Sequence, residues 1–221
     1  MLFRRLCAEF AGVFLIVFTS GVSGGEPFAV CGAIWCGQGI SGLCSGAHFN
    51  PAVTIALLYD KYLNKKVSKI DVTDALLYIV TQFIAALFSA LCAWGIVHHN
   101  MFFDALDDYS IAQAFWAELI FTMLICANAV MMGKMWHIDK VVFNAAIVLT
   151  VFGSISTVGH ITNGCFNPAI GLGVNIYYYI KHGTHFENTW IFIIAPSLGG
   201  IIGALFTNFF TVEMRKRNII K

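Results

Sequence analysis

Two stretches decide how this chain folds: "GAHFNPAV" at Gly46–Val53 and "GCFNPAIG" at Gly164–Gly171. Each places Asn-Pro-Ala at the head of an apolar run only half as long as a membrane span: "NPAVTIALLYD" in the first case, "NPAIGLGVNIYYYI" in the second. Asn is a strong helix N-cap, and Pro fits the first helical position because its missing N–H would be unpaired there in any case. Asn50-Pro51-Ala52 and Asn167-Pro168-Ala169 therefore read as two helix starts. A single Asn-Pro is most simply a capped turn. Two of them, each heading a half-span in matching parts of the chain, are not.

The surrounding composition says where these helices start. Of 221 residues, 58% are apolar and 11% charged, against about 25% charged in a soluble domain. Such a chain belongs in a bilayer, and a net charge of +1 with no aromatic-interleaved basic run argues against nucleic acid. About 20 apolar residues cross the hydrocarbon core. Six stretches qualify: Leu6–Gly25, Phe28–Ser45, Asp74–Val97, Ile111–Gly133, Val141–Gly159 and Thr189–Phe210. The first carries Glu9 and lacks a small-residue cleavage pattern, so it reads as a retained span rather than a signal peptide. The seven cysteines, Cys7, Cys31, Cys36, Cys44, Cys92, Cys126 and Cys165, form no C-x-x-C pair and lie mostly in apolar runs, as packing residues do.

Charge sets the expected orientation. With the N-terminus inside, Arg4, Arg5, Lys61, Lys65, Lys66, Lys69, Lys134, Lys140, Arg215, Lys216, Arg217 and Lys221 all fall inside, which leaves only Lys181 of the 13 basic residues outside. The acidic "NMFFDALDDYS" falls outside too. Six spans with both termini cytoplasmic satisfy the positive-inside rule. The tail 213–221 is basic and would sit at the inner leaflet, against membrane lipid.

The chain also repeats. "AEFAGVFLIV" from Ala8 parallels "AELIFTMLIC" from Ala117, and "YIVTQFIAALFSA" from Tyr78 parallels "FIIAPSLGGIIGA" from Phe192. The repeats span about 1–97 and 111–212. Three spans in each make their topologies opposite, which puts a site at the midplane where two interrupted helices meet. The fold class is an all-α polytopic membrane protein of six transmembrane helices and two re-entrant half-helices in an inverted repeat. Two converging helix N-termini would repel cations, and the spare amide protons of Asn50 and Asn167 would orient a small neutral molecule. There is no H-E-x-x-H, no P-loop and no membrane-embedded His/Asp cluster, so neither an enzyme nor an ion-coupled carrier is indicated, and no cofactor or metal is expected.

"SGAHFNPAVT", "GCFNPA", the "AEF" and "AEL" near the starts of spans one and four, Gln82 and "APSLGGIIGA" together resemble the major intrinsic proteins, the aquaporin and glycerol-facilitator family, over nearly the whole chain. The resemblance implies a right-handed bundle with one pore per subunit, a homotetramer, and passage of water and small uncharged solutes. It gives Glu9, Glu118 and His48 the task of fixing the two re-entrant loops. It also implies an outer filter of four residues. Twenty before Asn50 is Val30, or its neighbour Cys31 if a gap intervenes. Twelve before Asn167 is Ile155, within one position. Gly164 and Ile170 complete the set. The family usually has Arg where this chain has Ile170, and Asp after it in glycerol-type members, where this chain has Gly171. A filter of Val30, Ile155, Gly164 and Ile170 has almost no side-chain hydrogen bonding. That suggests a channel open to glycerol, urea, ammonia or peroxide as well as water; the alternative is a poorly conducting junctional or scaffold protein of the same fold. Cys165 is a candidate mercurial site, with a packed small thiol the plainer reading. His160 and the pair His98–His99 read as interfacial.

Overall fold

Among the described residues eight helices follow one another: α1 Leu2–Ser23, α2 Pro27–Ser45, α3 Pro51–Asn64, α4 Val72–Val97, α5 Ile111–Lys134, α6 Lys140–Thr162, α7 Pro168–His182 and α8 Ile191–Lys216. This is a computed structural model; it describes residues 1–64, 70–98, 101–106, 108–135 and 139–216. Lys65, Lys66, Lys69, His99, Arg217 and Lys221 lie outside the described residues. Among these helices, six are long and apolar enough to cross a membrane. The other two, α3 and α7, have 14 and 15 residues, or about 20 Å of helix.

The helix boundaries have local causes. Pro27 opens α2 while the Glu26 side chain accepts from the N–H groups of Phe28 and Ala29. Asp71, Ser110 and Asp139 cap α4, α5 and α6. Gly24, Gly46 and Gly183 end α1, α2 and α7 in the left-handed conformation that glycine adopts without strain. Two helices outrun the spans expected from hydropathy by four residues or more at one end. α1 begins at Leu2 because Arg5 is drawn into the bundle: its guanidinium reaches Asp74 at 2.6 Å and the Tyr78 hydroxyl at 2.8 Å. α8 continues to Lys216, past the last strongly apolar turn, since a helix leaving the hydrocarbon has no reason to stop there.

The packing is symmetric and crossed. α1 lies against α2 and α4, as α5 lies against α6 and α8; but α3 packs on α8 and α5, and α7 packs on α4 and α8. Each half-helix is thus seated largely on the opposite repeat. Close approach is made by small residues. A Cβ on Gly199 or Gly203 of α8 would meet the Leu119 or Met123 carbonyl oxygen of α5 at 2.6 Å, and one on Gly200 would meet the Ala52 carbonyl oxygen of α3 at 2.5 Å. Such Gly-x-x-x-Gly contacts are how helices associate in lipid, where apolar side chains gain nothing by leaving the solvent. The outer surface is apolar: Phe88, Leu149, Ile180 and Phe209 are all exposed, as a lipid-facing surface requires.

Lys134 sits differently from a surface charge of an inner loop. It is fully buried at the end of α5 and pairs at 2.7 Å with Asp60, also buried, in the last turns of α3. The half-helix is thereby fastened at its C-terminal end by one internal ion pair.

Candidate functional site

The two Asn-Pro-Ala segments meet in the centre of the bundle. The Asn50 side chain accepts from the Ala52 N–H at 2.8 Å, and Asn167 accepts from the N–H groups of Ala169 and Ile170 at 3.1 and 3.4 Å. Each then donates across the interface between repeats. Asn50 Nδ2 bonds the Phe166 carbonyl at 2.8 Å, and Asn167 Nδ2 bonds the Phe49 carbonyl at 2.9 Å. A side-chain amide carries two N–H groups. With one spent on the crossed bond, the other is left for the cavity that both residues line.

The loops entering α3 and α7 are held by two buried carboxylates. Glu9 of α1 accepts from the N–H groups of His48 and Phe49 at 3.0 and 2.7 Å and from Gln82 Nε2 at 2.8 Å. Glu118 of α5 accepts from the N–H groups of Cys165 and Phe166 at 3.0 and 2.7 Å and from the Thr162 hydroxyl at 2.6 Å. Both glutamates are fully buried. These contacts hold strained backbone: Phe49 and Phe166 have φ of 52° and 51°, a left-handed conformation costly for a bulky residue. The Phe49 ring is accommodated because Gly12, on the same face of α1 as Glu9, has no side chain to collide with it. His48 Nδ1 lies 3.1 Å from the Thr54 hydroxyl, one turn into α3.

A cavity of about 980 Å³ runs through this centre, with residues from both ends of the bundle in its wall. Arg5, Asp60 and Ile70 stand at one end, and Gly25, Pro27 and Phe102 at the other. Val30, Ile155, Gly164 and Ile170 all line it. Cys31 does not; its thiol lies 3.5 Å from the Val148 carbonyl between α2 and α6. A Cβ on Gly164 would meet the Ile155 Cα at 3.4 Å, so these two are neighbours in the wall. Cys165 also lines the cavity, with its thiol 3.2 Å from the Asn167 carbonyl. Cys44 lines it toward the end where Arg5 stands.

Some features were not apparent from sequence. Gln38 of α2 stands in the cavity wall, on an otherwise apolar span. The segment Met101–Leu106 does not hang free: Phe103 is buried, its N–H and carbonyl both bonded to the Asn175 side chain. Asp104 is held by His185 and Asn188 at 2.8 Å each. His98 stacks edge-on with Trp94, and His160 with Tyr109. Among the described residues, no group of three or more His, Cys, Asp or Glu is placed to hold a metal ion.

The family model described as "Major intrinsic protein" matches residues 1–207. The chain is 29% identical over 215 residues to glycerol uptake facilitator protein-like 6 of Lactiplantibacillus plantarum, covering 91% of this chain and 95% of that one. It is 28% identical over 251 residues to aquaporin AqpM of Methanothermobacter thermautotrophicus, covering 95% and 98%. Its fold is similar to that of the aquaglyceroporin from Plasmodium falciparum, with a TM-score of 0.80 and 21% identity over 98% of this chain and 99% of that structure.

The anchoring of the second loop can be tested at Glu118. Glu118→Leu leaves two buried N–H groups without acceptors, at about 1–3 kcal/mol each, while Glu118→Gln keeps one accepting oxygen. The melting temperature of purified protein in detergent is expected to fall steeply for Leu and by less for Gln. Equal melting of all three would rule the anchor out.

Proposed function

The chain belongs to the major intrinsic protein family, and from that premise we propose that it passes water and small uncharged solutes passively through one pore per chain, the glycerol uptake facilitator among its relatives making glycerol the first solute to try. One observation carries this reading. Two capped half-helices point their N-termini at each other across a continuous cavity, each offering one spare Asn N–H. Cations meet two positive dipole ends there, and the nearby Glu9 and Glu118 carboxylates are taken up by loop N–H groups outside the cavity lining, whereas a neutral molecule with a lone pair is bound and released without charge.

The outer selectivity ring in this proposal is Val30, Ile155, Gly164 and Ile170. None of these side chains can hydrogen-bond, so a passing solute finds only backbone partners at this level. An arginine in place of Ile170 would bring up to five donors and a fixed charge into the cavity. Without it the ring is wider, less polar and less strict, which favours glycerol, urea, ammonia and peroxide alongside water. The same apolarity favours a second reading, a poorly conducting junctional or scaffold member of the family.

The arrangement proposed in the membrane has both termini cytoplasmic, with the basic end of the bundle inside, and four chains assembled as a homotetramer. Tags at either terminus should be reached only after permeabilising the cell, and cross-linking should stop at four subunits. A terminus reached in intact cells would invert the topology.

In proteoliposomes the parent should admit glycerol or urea together with water. Ile170→Arg should lower solute uptake by about tenfold, the effect of roughly 1.4 kcal/mol on a barrier, with water flux retained. Solute uptake indifferent to the arginine would remove Ile170 from the filter. Background flux of water and every solute in the well-inserted parent would favour the non-conducting reading.

Cys165, in the wall beside Asn167, is the proposed point of mercurial block. Inhibition of water flux should disappear in Cys165→Ser. Block that survives this change but not Cys44→Ser would move the site to the inner mouth.

A further inference from the structure

The inverted repeat turns every position of one half into a position of the other. The Asn50 and Asn167 motifs supply the register. The residues three before and three after Asn167, Gly164 and Ile170, correspond to Ala47 and Val53 around Asn50. Ile155, twelve before Asn167, corresponds to Gln38, twelve before Asn50. Val30, twenty before Asn50, corresponds to Ile147, twenty before Asn167. All eight residues line the one cavity. The lumen therefore has an inner ring of Gln38, Ala47, Val53 and Ile147, mirroring the outer one through the crossed asparagines.

The two rings differ in one side chain that matters. The outer ring has no hydrogen-bonding side chain, and the inner ring has Gln38. This residue lies on the same face of α2 as Val30 and Ile34, at four-residue spacing, and about 12 Å further along the helix than Val30. It is 7% exposed, and its Oε1 has no hydrogen-bond partner. A buried carbonyl oxygen left dry carries a desolvation penalty. Gln38 itself lines the cavity, so a turn of its side chain brings the buried oxygen to a partner that passes through.

We infer that Gln38 is the side chain that selects among permeating solutes, from an inner ring on the opposite side of the asparagine pair from the expected filter. Its amide accepts through Oε1 and donates through Nε2. The solutes it favours are small uncharged molecules with hydrogen-bond donors beside an acceptor, of which urea and glycerol are the two simplest. Water is satisfied in many orientations and gains less from a fixed amide. A solute that has shed its hydration shell to enter an apolar lumen gains most. The inference rests on the channel reading above.

The measurement is the ratio of solute permeability to water permeability in the same proteoliposomes, taken separately for urea and for glycerol. Gln38→Met removes the amide and keeps an unbranched chain of similar length; it should lower the ratio for at least one of the two by about fivefold, the factor a lost neutral hydrogen bond of ordinary strength gives. Gln38→Asn keeps an amide and should stay within about twofold of the parent, as expected for the smaller cost of an imperfectly placed bond. The solute whose ratio falls identifies the chemistry preferred. An unchanged or raised ratio in the Met variant overturns the inference, as does an Asn variant that falls as far as Met, or a Met variant that loses water and solute in equal proportion. Failure of the channel reading itself shows separately, as a parent with background water flux.

Discussion

The structure depends on one reciprocal exchange: each asparagine of the paired motifs caps its own half-helix and bonds the backbone of the other. The Asn50 amide reaches Phe166, and the Asn167 amide reaches Phe49. Unpaired backbone at membrane depth is tolerated only where protein or a wet cavity receives it. Glu9 and Glu118 satisfy the loop N–H groups, and the crossed amides satisfy the phenylalanine carbonyls. A charge within a membrane helix costs at least a few kcal/mol. Here each carboxylate accepts three hydrogen bonds in return, so the charges hold the loops in a conformation their phenylalanines would otherwise leave.

The proposed selectivity follows from what the two helix ends leave unspent. They fix the centre of the passage as a place of donors and positive dipole. They say nothing of the walls on either side, which come from the stripes of α2 and α6 and from the residue that follows each Asn-Pro-Ala. At those positions this chain carries mostly side chains that fill space, Ile170 among them, with Gln38 of α2 the polar exception. Membership of the family rests on the paired motifs, and the proposed choice among solutes rests on other residues.

Much of this was legible in the sequence because the informative residues are local or repeated. Asn-Pro at the head of a half-length apolar run announces its own geometry, and two copies announce the symmetry. The glutamates were visible as charges where charges are expensive. What stayed hidden depends on register and on distance along the chain. Gln38 is one polar residue in an apolar span, and nothing local says which face of α2 turns inward. Its correspondence with Ile155 could have been counted, by the same twelve residues, from the first motif. Asp60 and Lys134 are 74 positions apart and read as ordinary charges of inner loops until α3 and α5 are laid side by side. Phe103 and Asp104 lie in a stretch whose acidity suggests a solvated loop, and side chains far along the chain, Asn175, His185 and Asn188, fold it down.

The crossed seating of the half-helices has a consequence for how the molecule is made. α3 rests on α8, and its last turns are tied to α5 by the Asp60–Lys134 pair. More than a hundred residues of synthesis separate α3 from the surface that receives it. The Asn50–Phe166 bond and the seat of α3 on α8 therefore become available only once the second repeat has been made.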